Sequence, residues 1–179
     1  KLSALGDGPY ELPLALFKKL VDDVVRAGVH VVEFAFCGRG EPLLHPEFTE
    51  MMRYAREKLP ATLFSVITSG NAPYCDGLLE VDHIGASIDG GFPDSYEVYR
   101  KGGNLERVLR FLRKLVERRE EFARQNPGAK RRPNICWRYI LFEHNDSIEE
   151  LTHAQRLASE IGVDEMMFML THTWNASKK

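Results

Sequence analysis

The sequence predicts an α/β fold built on a parallel sheet. Three observations predict it: short apolar runs recur along the chain, segments with helical spacing separate them, and three of the runs end in glycine-containing turns. Strands that alternate with helices are joined by right-handed crossovers, which place consecutive strands parallel in one sheet. The 179 residues suffice for one domain with a substantial core.

Five strands are predicted from runs rich in β-branched and other apolar residues: residues 31–36, 62–68, 81–88, 135–142 and 165–170. Helices are predicted over residues 12–27, 46–59 and 147–161, where apolar residues recur at spacings of three and four. The longest helix begins after Asn104, a residue suited to capping. A capping box, Ser147-x-x-Glu150, opens the last helix, and Gly162 stops it.

The two faces of the predicted strands differ in character. Alternate residues of a strand face opposite sides of a sheet. One face of the third strand carries Gly85, Ser87 and Asp89, and the same face of the fourth carries Cys136 and Arg138, whereas the opposite faces are apolar. A sheet covered by helices on both sides is usually apolar on both faces. The element order leaves an open doubly wound sheet and a barrel segment as alternatives, and the polar face favours a barrel lumen that holds a ligand.

Composition excludes several classes of partner. The net charge of −2 gives no general attraction to nucleic acid or to anionic membranes. No apolar run approaches the ~20 residues of a membrane-spanning helix, and no secretory signal core is visible near Lys1. The cysteines Cys37, Cys75 and Cys136 are odd in number and far apart, which favours a reducing compartment over a disulfide framework. We expect a cytoplasmic protein that has neither a membrane nor nucleic acid as its partner.

The turn after the first predicted strand reads Gly38-Arg39-Gly40-Glu41-Pro42. Glycine lets a backbone approach a ligand closely because it has no Cβ. Ligands also gather at the carboxyl ends of parallel strands in α/β folds. A glycine turn with a carboxylate at such a strand end therefore predicts a ligand site that includes Gly40 and Glu41.

Five segments in this order resemble the radical S-adenosylmethionine (radical SAM) enzymes, and the resemblance spans roughly residues 12–170. They are Gly38 to Pro46, Thr68-Ser69-Gly70, Ser87 to Gly90, Tyr99 to Val108 and Trp137 to Asp146. The first three follow consecutive predicted strands. The resemblance implies a partial (β/α)6 TIM-like barrel in which about five parallel strands are present and the first strand is missing.

The resemblance also implies which residues bind S-adenosylmethionine (SAM). Arg39-Gly40-Glu41 corresponds to the family's G-G-E motif, which receives the methionine amino group; Arg39 replaces its first glycine. Because backbone atoms and the glutamate make this contact, Gly40 and Glu41 are the expected ligands. Ser69 belongs to the motif that ends the next strand.

Further ligands are implied at the later strand ends. Ser87 and Asp89 match the family's pair near the ribose and the carboxylate. Arg100 or Arg138 would bind the methionine carboxylate, since the planar guanidinium pairs bidentately with carboxylates. Asn145 would approach the adenosine.

The family's activity implies the remaining cofactor and partners. Its [4Fe-4S] cluster reduces SAM to a 5′-deoxyadenosyl radical, which abstracts hydrogen from a peptide or small-molecule substrate. An electron donor such as flavodoxin or ferredoxin is implied as well. The protein positions these groups and excludes water, whereas the cofactors carry the chemistry.

One departure from the family is large. The cluster is held in the family by a C-x-x-x-C-x-x-C loop, and this sequence has none. Cys37, Cys75 and Cys136 do not replace it, because such clusters need closely grouped thiolates. We interpret residues 1–170 as an incomplete core domain and residues 171–179 as a polar tail that leads to a missing part. The cluster then belongs to the full-length parent only, and the chain alone has no catalytic or metal-binding residues and should be inactive.

Simpler interpretations of these residues stay open. Glu41 could be only an acid at a helix entry, and Asp89 could be a turn former. Arg138 could be a core arginine paired with Glu33, and Arg100 could be a solvated charge at a helix end.

Two other functions are also open. A homologue that has lost the cluster could serve as a non-catalytic SAM- or nucleotide-binding module. An ordinary aldolase-like or hydrolase-like domain ranks last, because the sequence has no G-x-S-x-G elbow and no lysine suited to a Schiff base at a strand end.

Overall fold

Five parallel strands form a single sheet in the computed structural model, which describes residues 11–37, 40–128, 133–172 and 176–178. The strands are β1 (Glu33–Phe36), β2 (Leu63–Thr68), β3 (His83–Ser87), β4 (Asn134–Ile140) and β5 (Glu165–Met169). Their order in the sheet is β1-β2-β3-β4-β5, the same as in the chain. A doubly wound sheet reverses its order at a switch point, so the unreversed order is that of a barrel segment.

Five helices accompany the strands: α1 (Leu14–Arg26) precedes β1, α2 (Phe48–Lys58) follows it, α3 (Pro93–Tyr99) and α4 (Leu105–Gln125) join β3 to β4, and α5 (Ile148–Ile161) joins β4 to β5. Two 3-10 turns, Pro42–Leu44 and Asp76–Glu80, complete the connections. None of the helices in the described ranges is long and apolar enough to cross a membrane. The sequence predicted four of the helices to within a few residues. It did not predict α3, because seven residues are too few to show a helical period.

Helix ends follow the predicted caps with one exception. The Asn104 side chain accepts a hydrogen bond from the Arg107 N–H at 2.8 Å, and Gly162 ends α5 in the left-handed region at φ 84°. Ser147 accepts from the Glu150 N–H at 3.1 Å. The predicted reciprocal bond of the capping box is replaced, because the buried Glu150 carboxylate accepts instead from the Gly91 N–H at 2.5 Å.

The division of the strands into two faces is confirmed. The face that packs against the helices carries the core, including the buried residues Phe64, Val66, Ile84, Ala86, Ile88, Ile135, Trp137 and Tyr139. On the opposite face the register sets Gly85 beside Cys136 and Ser87 beside Arg138. On β3 and β4 this inner face is small or polar, as the pattern of alternation predicted, whereas the register adds the exposed apolar side chains of Ile67 and Met167 on β2 and β5.

Two arginines fix helices to the sheet at the amino-terminal ends of the strands. Arg56 of α2 pairs with Asp82 at 2.5 Å and donates to the Glu80 carbonyl at 2.7 Å. Arg119 of α4 is 1% exposed and pairs with Asp164 just before β5. The anchoring charges therefore lie at the end of the sheet opposite to the predicted ligand site.

Candidate functional site

Glu41 joins the ends of the first two strands. Its carboxylate accepts hydrogen bonds from the Thr68 hydroxyl at 2.8 Å, from the Ser69 hydroxyl at 2.8 Å and from the Ser69 N–H at 2.7 Å. It also accepts from the Leu43 N–H at 3.3 Å, which caps the 3-10 turn. A carboxylate offers about four acceptor positions, and four donors fill them here. Glu41 is therefore more than a helix-entry acid, since it holds the β1 turn against Ser69 at the end of β2.

Gly40 lies at the open side of this turn. It is exposed, and a Cβ added there would meet no atom within 4 Å. It borders a cavity of about 440 Å³ whose lining includes Cys37, Glu41 and His45. Gly38 and Arg39, the first two residues of the motif, lie outside the described residues. The structure therefore places Gly40 where a ligand has room to approach its backbone.

Asp89 and Arg100 form a buried ion pair behind the end of β3. Asp89 is 0% exposed, and the Arg100 Nε and Nη2 atoms each lie 2.6 Å from its Oδ2. Its other oxygen accepts from the Ile140 N–H at 2.6 Å. Burial raises the pKa of Asp89, although Arg100 and the Ile140 N–H both act to lower it. Neither the turn-former interpretation of Asp89 nor the solvated-charge interpretation of Arg100 describes this pair.

Arg138 presents a cation to the inner face of the sheet. Within the described residues, the one hydrogen-bond acceptor of its guanidinium is the Met169 sulfur, 3.4 Å from Nη2. The alternative pairing with Glu33 is not formed, because β2 and β3 separate their strands, and Glu33 accepts from the Ser65 hydroxyl at 2.5 Å. Ser87 is the neighbour of Arg138 in the register of β3 and β4.

Gly85 makes the position of Arg138 possible, and the sequence reading did not assign it a role in the site. A Cβ at Gly85 would lie 2.6 Å from the Arg138 Cδ, so the arginine stem crosses β3 where a side chain is lacking. The signal that could have found it is a glycine inside a strand pattern, which often marks a close approach of another group.

Asn145 holds backbone segments together at the ends of β3 and β4. It is buried, and its side-chain amide donates to the carbonyls of Asp89 and Ile140, both at 3.0 Å. Its side-chain oxygen accepts from the Phe142 N–H at 2.7 Å. Asn145 therefore connects the loop after β4 to the turn after β3, and both ends of its side-chain amide are bound to backbone groups of the protein.

The cysteines do not form a site for an iron–sulfur cluster. Cys37 is exposed after β1, whereas Cys75 and Cys136 are partly buried at separate places. Burial raises the pKa of both buried thiols, which disfavours the thiolates that bind iron. The described ranges contain no group of three His, Cys, Asp or Glu residues that could hold a metal ion. These residues do not fit the cluster.

The fold and these residues define a class of protein. It is a barrel-like α/β protein whose polar groups collect at the carboxyl ends of parallel strands, where small molecules and cofactors bind. The model of the Radical SAM superfamily matches residues 4–121, which is more than half of the sequence. The chain belongs to the radical SAM superfamily.

Solved structures agree on the fold. The structure of TYW1 with a lysine-pyruvate adduct bound is similar over 97% of this chain and 61% of that chain, with a TM-score of 0.61 and 16% identity. Methylornithine synthase (PylB) is similar over 92% of this chain and 45% of that chain, with a TM-score of 0.55 and 16% identity. The chain thus spans less than two thirds of either relative, and at this identity the likeness shows the fold alone. No curated protein matches the sequence.

Proposed function

We propose that the chain binds SAM across the carboxyl ends of β1 to β4 and is the core of a radical SAM enzyme. The observation that carries the proposal is Arg138, a cation on the inner face of the sheet with only a thioether as its acceptor among the described residues. It lies beside the Ser87 hydroxyl in the β3–β4 register. SAM carries a carboxylate, an amine, a sulfonium and a ribose, so it needs partners of these kinds in one cleft.

Arg138 is the better partner for the methionine carboxylate. Two nitrogens of Arg100 are already bound to Asp89, whereas the Arg138 guanidinium faces the lumen. A guanidinium binds a carboxylate through two parallel hydrogen bonds. Ser87, on the same face, supplies a hydroxyl for the ribose. Its side chain, 8% exposed, makes no hydrogen bond within the described part of the chain.

The first turn of the site would serve the methionine amino group. Because four donors already fill the Glu41 carboxylate, we infer that its main task is to hold the turn and Ser69 in place. The exposed backbone at Gly40 would then accept from the amine. Asp89 and Asn145 act as positioning residues, since both bind the backbone after β4.

A [4Fe-4S] cluster, if supplied, would provide the electron by which bound SAM yields the 5′-deoxyadenosyl radical for hydrogen abstraction from a peptide or small molecule. We propose that cysteines outside this chain hold the cluster. The residues of this chain orient SAM through its carboxylate, ribose and amine. We also propose an electron donor such as flavodoxin or ferredoxin as the partner that reduces the cluster. A C-x-x-x-C-x-x-C loop encoded upstream of Lys1 is the expected finding, and an initiator methionine directly before Lys1 would contradict it.

Calorimetric titration of the chain with SAM tests the binding site. We expect the unchanged chain to bind SAM and Arg138→Met to bind it about tenfold or more weakly, because a charge-assisted contact contributes about 1.5–3 kcal/mol. Arg110→Met is the matched control, since Arg110 lies on α4 with its side chain 61% exposed. Equal affinity of the Arg138 and Arg110 variants would contradict the assignment of Arg138. Failure of the unchanged chain to bind SAM would overturn the proposed function of this chain.

A further inference from the structure

A second basin lies on the same rim as the proposed SAM site. It has a volume of about 430 Å³ and lies between the end of β2 and the loop that joins α3 to α4. Its lining residues are Ser69, Asn71, Tyr99, Arg100, Lys101, Gly102 and Gly103. The loop residues belong to the segment Tyr99 to Val108, of which the proposed function uses only Arg100, and that through Asp89.

The basin is positively charged. Its lining contains two cationic side chains and no acidic one. Lys101 is exposed and has neither an ion pair nor a side-chain hydrogen bond within the described ranges. Arg100 is held through Nε and Nη2 by Asp89, with its side chain 25% exposed. This pair leaves Nη1 of Arg100, a residue that lines the basin, without a hydrogen bond to a described residue.

Backbone donors add to the positive side chains. The N–H groups of Lys101 and Gly102 form no hydrogen bond with the described part of the protein, whereas the Gly103 N–H donates to the Arg100 carbonyl at 2.8 Å. Gly102 has a φ of 74°, in the left-handed region. A positive φ at the third residue of a turn closed by the Arg100–Gly103 bond is that of a type II turn, in which glycine is favoured. The loop thus combines two cations with backbone donors.

The walls of the basin are already ordered. The Asn71 amide donates to the Tyr96 hydroxyl at 2.9 Å, and its oxygen accepts from the Asn104 N–H at 3.1 Å. On the other side the Ser69 hydroxyl donates to Glu41 at 2.8 Å. A preformed site loses little freedom when it binds. The Ser69 bond also connects this basin directly to the first turn of the proposed SAM site.

We propose that Lys101 and Arg100 bind a carboxylate or phosphate group of the substrate beside bound SAM. The substrate part of this inference rests on the proposed function, while the anion site itself stands on the geometry of the loop. An anion in the basin would pair with the lysine and with the outer nitrogen of Arg100, and the unpaired backbone N–H groups of the loop are further donors beside them. The substrate class is therefore an anionic small molecule or a peptide with a carboxylate at this position.

The first test is a titration of the ¹⁵N-labelled chain with inorganic phosphate, followed by NMR. We expect saturable shifts at residues 101–103 and an affinity about tenfold lower in Lys101→Met, the loss of one charge-assisted contact. Lys114→Met is the matched control, because this substitution removes the same charge from the exposed side of α4. In Lys114→Met we expect the phosphate affinity to change twofold or less. Equal losses in both variants, or no saturable shifts, would overturn the proposal.

The second test separates the substrate from SAM. The phosphate titration is repeated with SAM at saturation, and we expect an unchanged phosphate affinity and unchanged SAM binding in Lys101→Met. Competition between SAM and phosphate would assign the basin to the methionine carboxylate and would overturn the proposal. If the chain binds phosphate but not SAM, the proposed function fails and the anion site remains. If it binds SAM but not phosphate, only this inference fails.

Discussion

Residues of similar chemistry have different tasks at the carboxyl ends of the strands. Asp89 and Asn145 are buried and bound on several sides. Arg138 is half-buried and Lys101 is exposed, and both have few or no partners among the described residues. Because a side chain that is already satisfied gains little from a ligand, we assign the buried pair to support and the open pair to binding.

Asp89→Asn should lower the free energy of unfolding by about 3 kcal/mol. Removal of one partner from a buried ion pair is costly, because the other partner keeps a desolvated charge without compensation. The amide would also direct a donor toward Arg100 or toward the Ile140 N–H, both of which are donors themselves. Urea unfolding followed by circular dichroism measures the change.

The control for this substitution is Asp94→Asn. Asp94 is exposed in the first turn of α3. The same substitution there removes a charge that is not buried, so we expect a much smaller loss in the free energy of unfolding. Similar losses of unfolding free energy in the two variants would show that the ion pair of Asp89 with Arg100 does not stabilise the protein more than an exposed aspartate does.

At the scale of elements, α3 is the short helix that carries Arg100 at its carboxyl end. It lies directly against the turn after β3: a Cβ at Gly90 would lie 2.4 Å from the Tyr96 backbone nitrogen. Glu150 of α5 accepts from the Gly91 N–H and from the Ser95 hydroxyl, both at 2.5 Å. Contacts with β3 and α5 therefore define where α3 lies.

Gly90→Ala should displace α3 and weaken both stability and SAM binding. The new methyl group meets backbone atoms, which cannot rotate away as a side chain can, so we expect the free energy of unfolding to fall by roughly 3 kcal/mol, the upper end of the usual range for overpacking. Gly40→Ala is the control for stability, because a Cβ there meets no atom within 4 Å. Thermal unfolding compares the two variants. Unchanged stability of Gly90→Ala would contradict the close packing of α3.

At the scale of the whole molecule, the sheet has two edges. Both β1 and β5 pair with one neighbour only within the part of the chain that the structure describes. Apolar side chains are exposed near the first edge, including Leu16, Val29 and Val32 at 52%, 57% and 66%. Unpaired strand edges with apolar neighbours are templates for association with another chain.

The isolated chain should therefore self-associate as its concentration rises. Val32→Lys should reduce this association, since a charge at a sheet edge opposes pairing. Val98→Lys is the matched control, because Val98 is 53% exposed on α3, away from β1. Sedimentation velocity over a range of concentrations measures both variants. A monomer at all concentrations, or equal effects of the two lysines, would rule out the β1 edge as the contact.

Much of the fold could be predicted from local patterns. The strands and four of the helices have apolar periods and caps that are properties of neighbouring residues, so their order follows from the sequence. The polar inner face followed from the alternation in β3 and β4. α3 was not predicted, since its position depends on contacts with Gly90 and Glu150, and Glu150 lies more than fifty residues further along the chain.

The sequence by itself determined the order of the elements, the two faces of the sheet and the motifs by which the chain resembles radical SAM enzymes. Only the tertiary structure decided which polar residues are open to a ligand. Arg100 and Arg138 are equivalent candidates in the sequence, yet Asp89 binds the first and Gly85 makes room for the second. The physical reason is that a side chain's availability depends on its partners, and folding brings those partners together from distant parts of the chain.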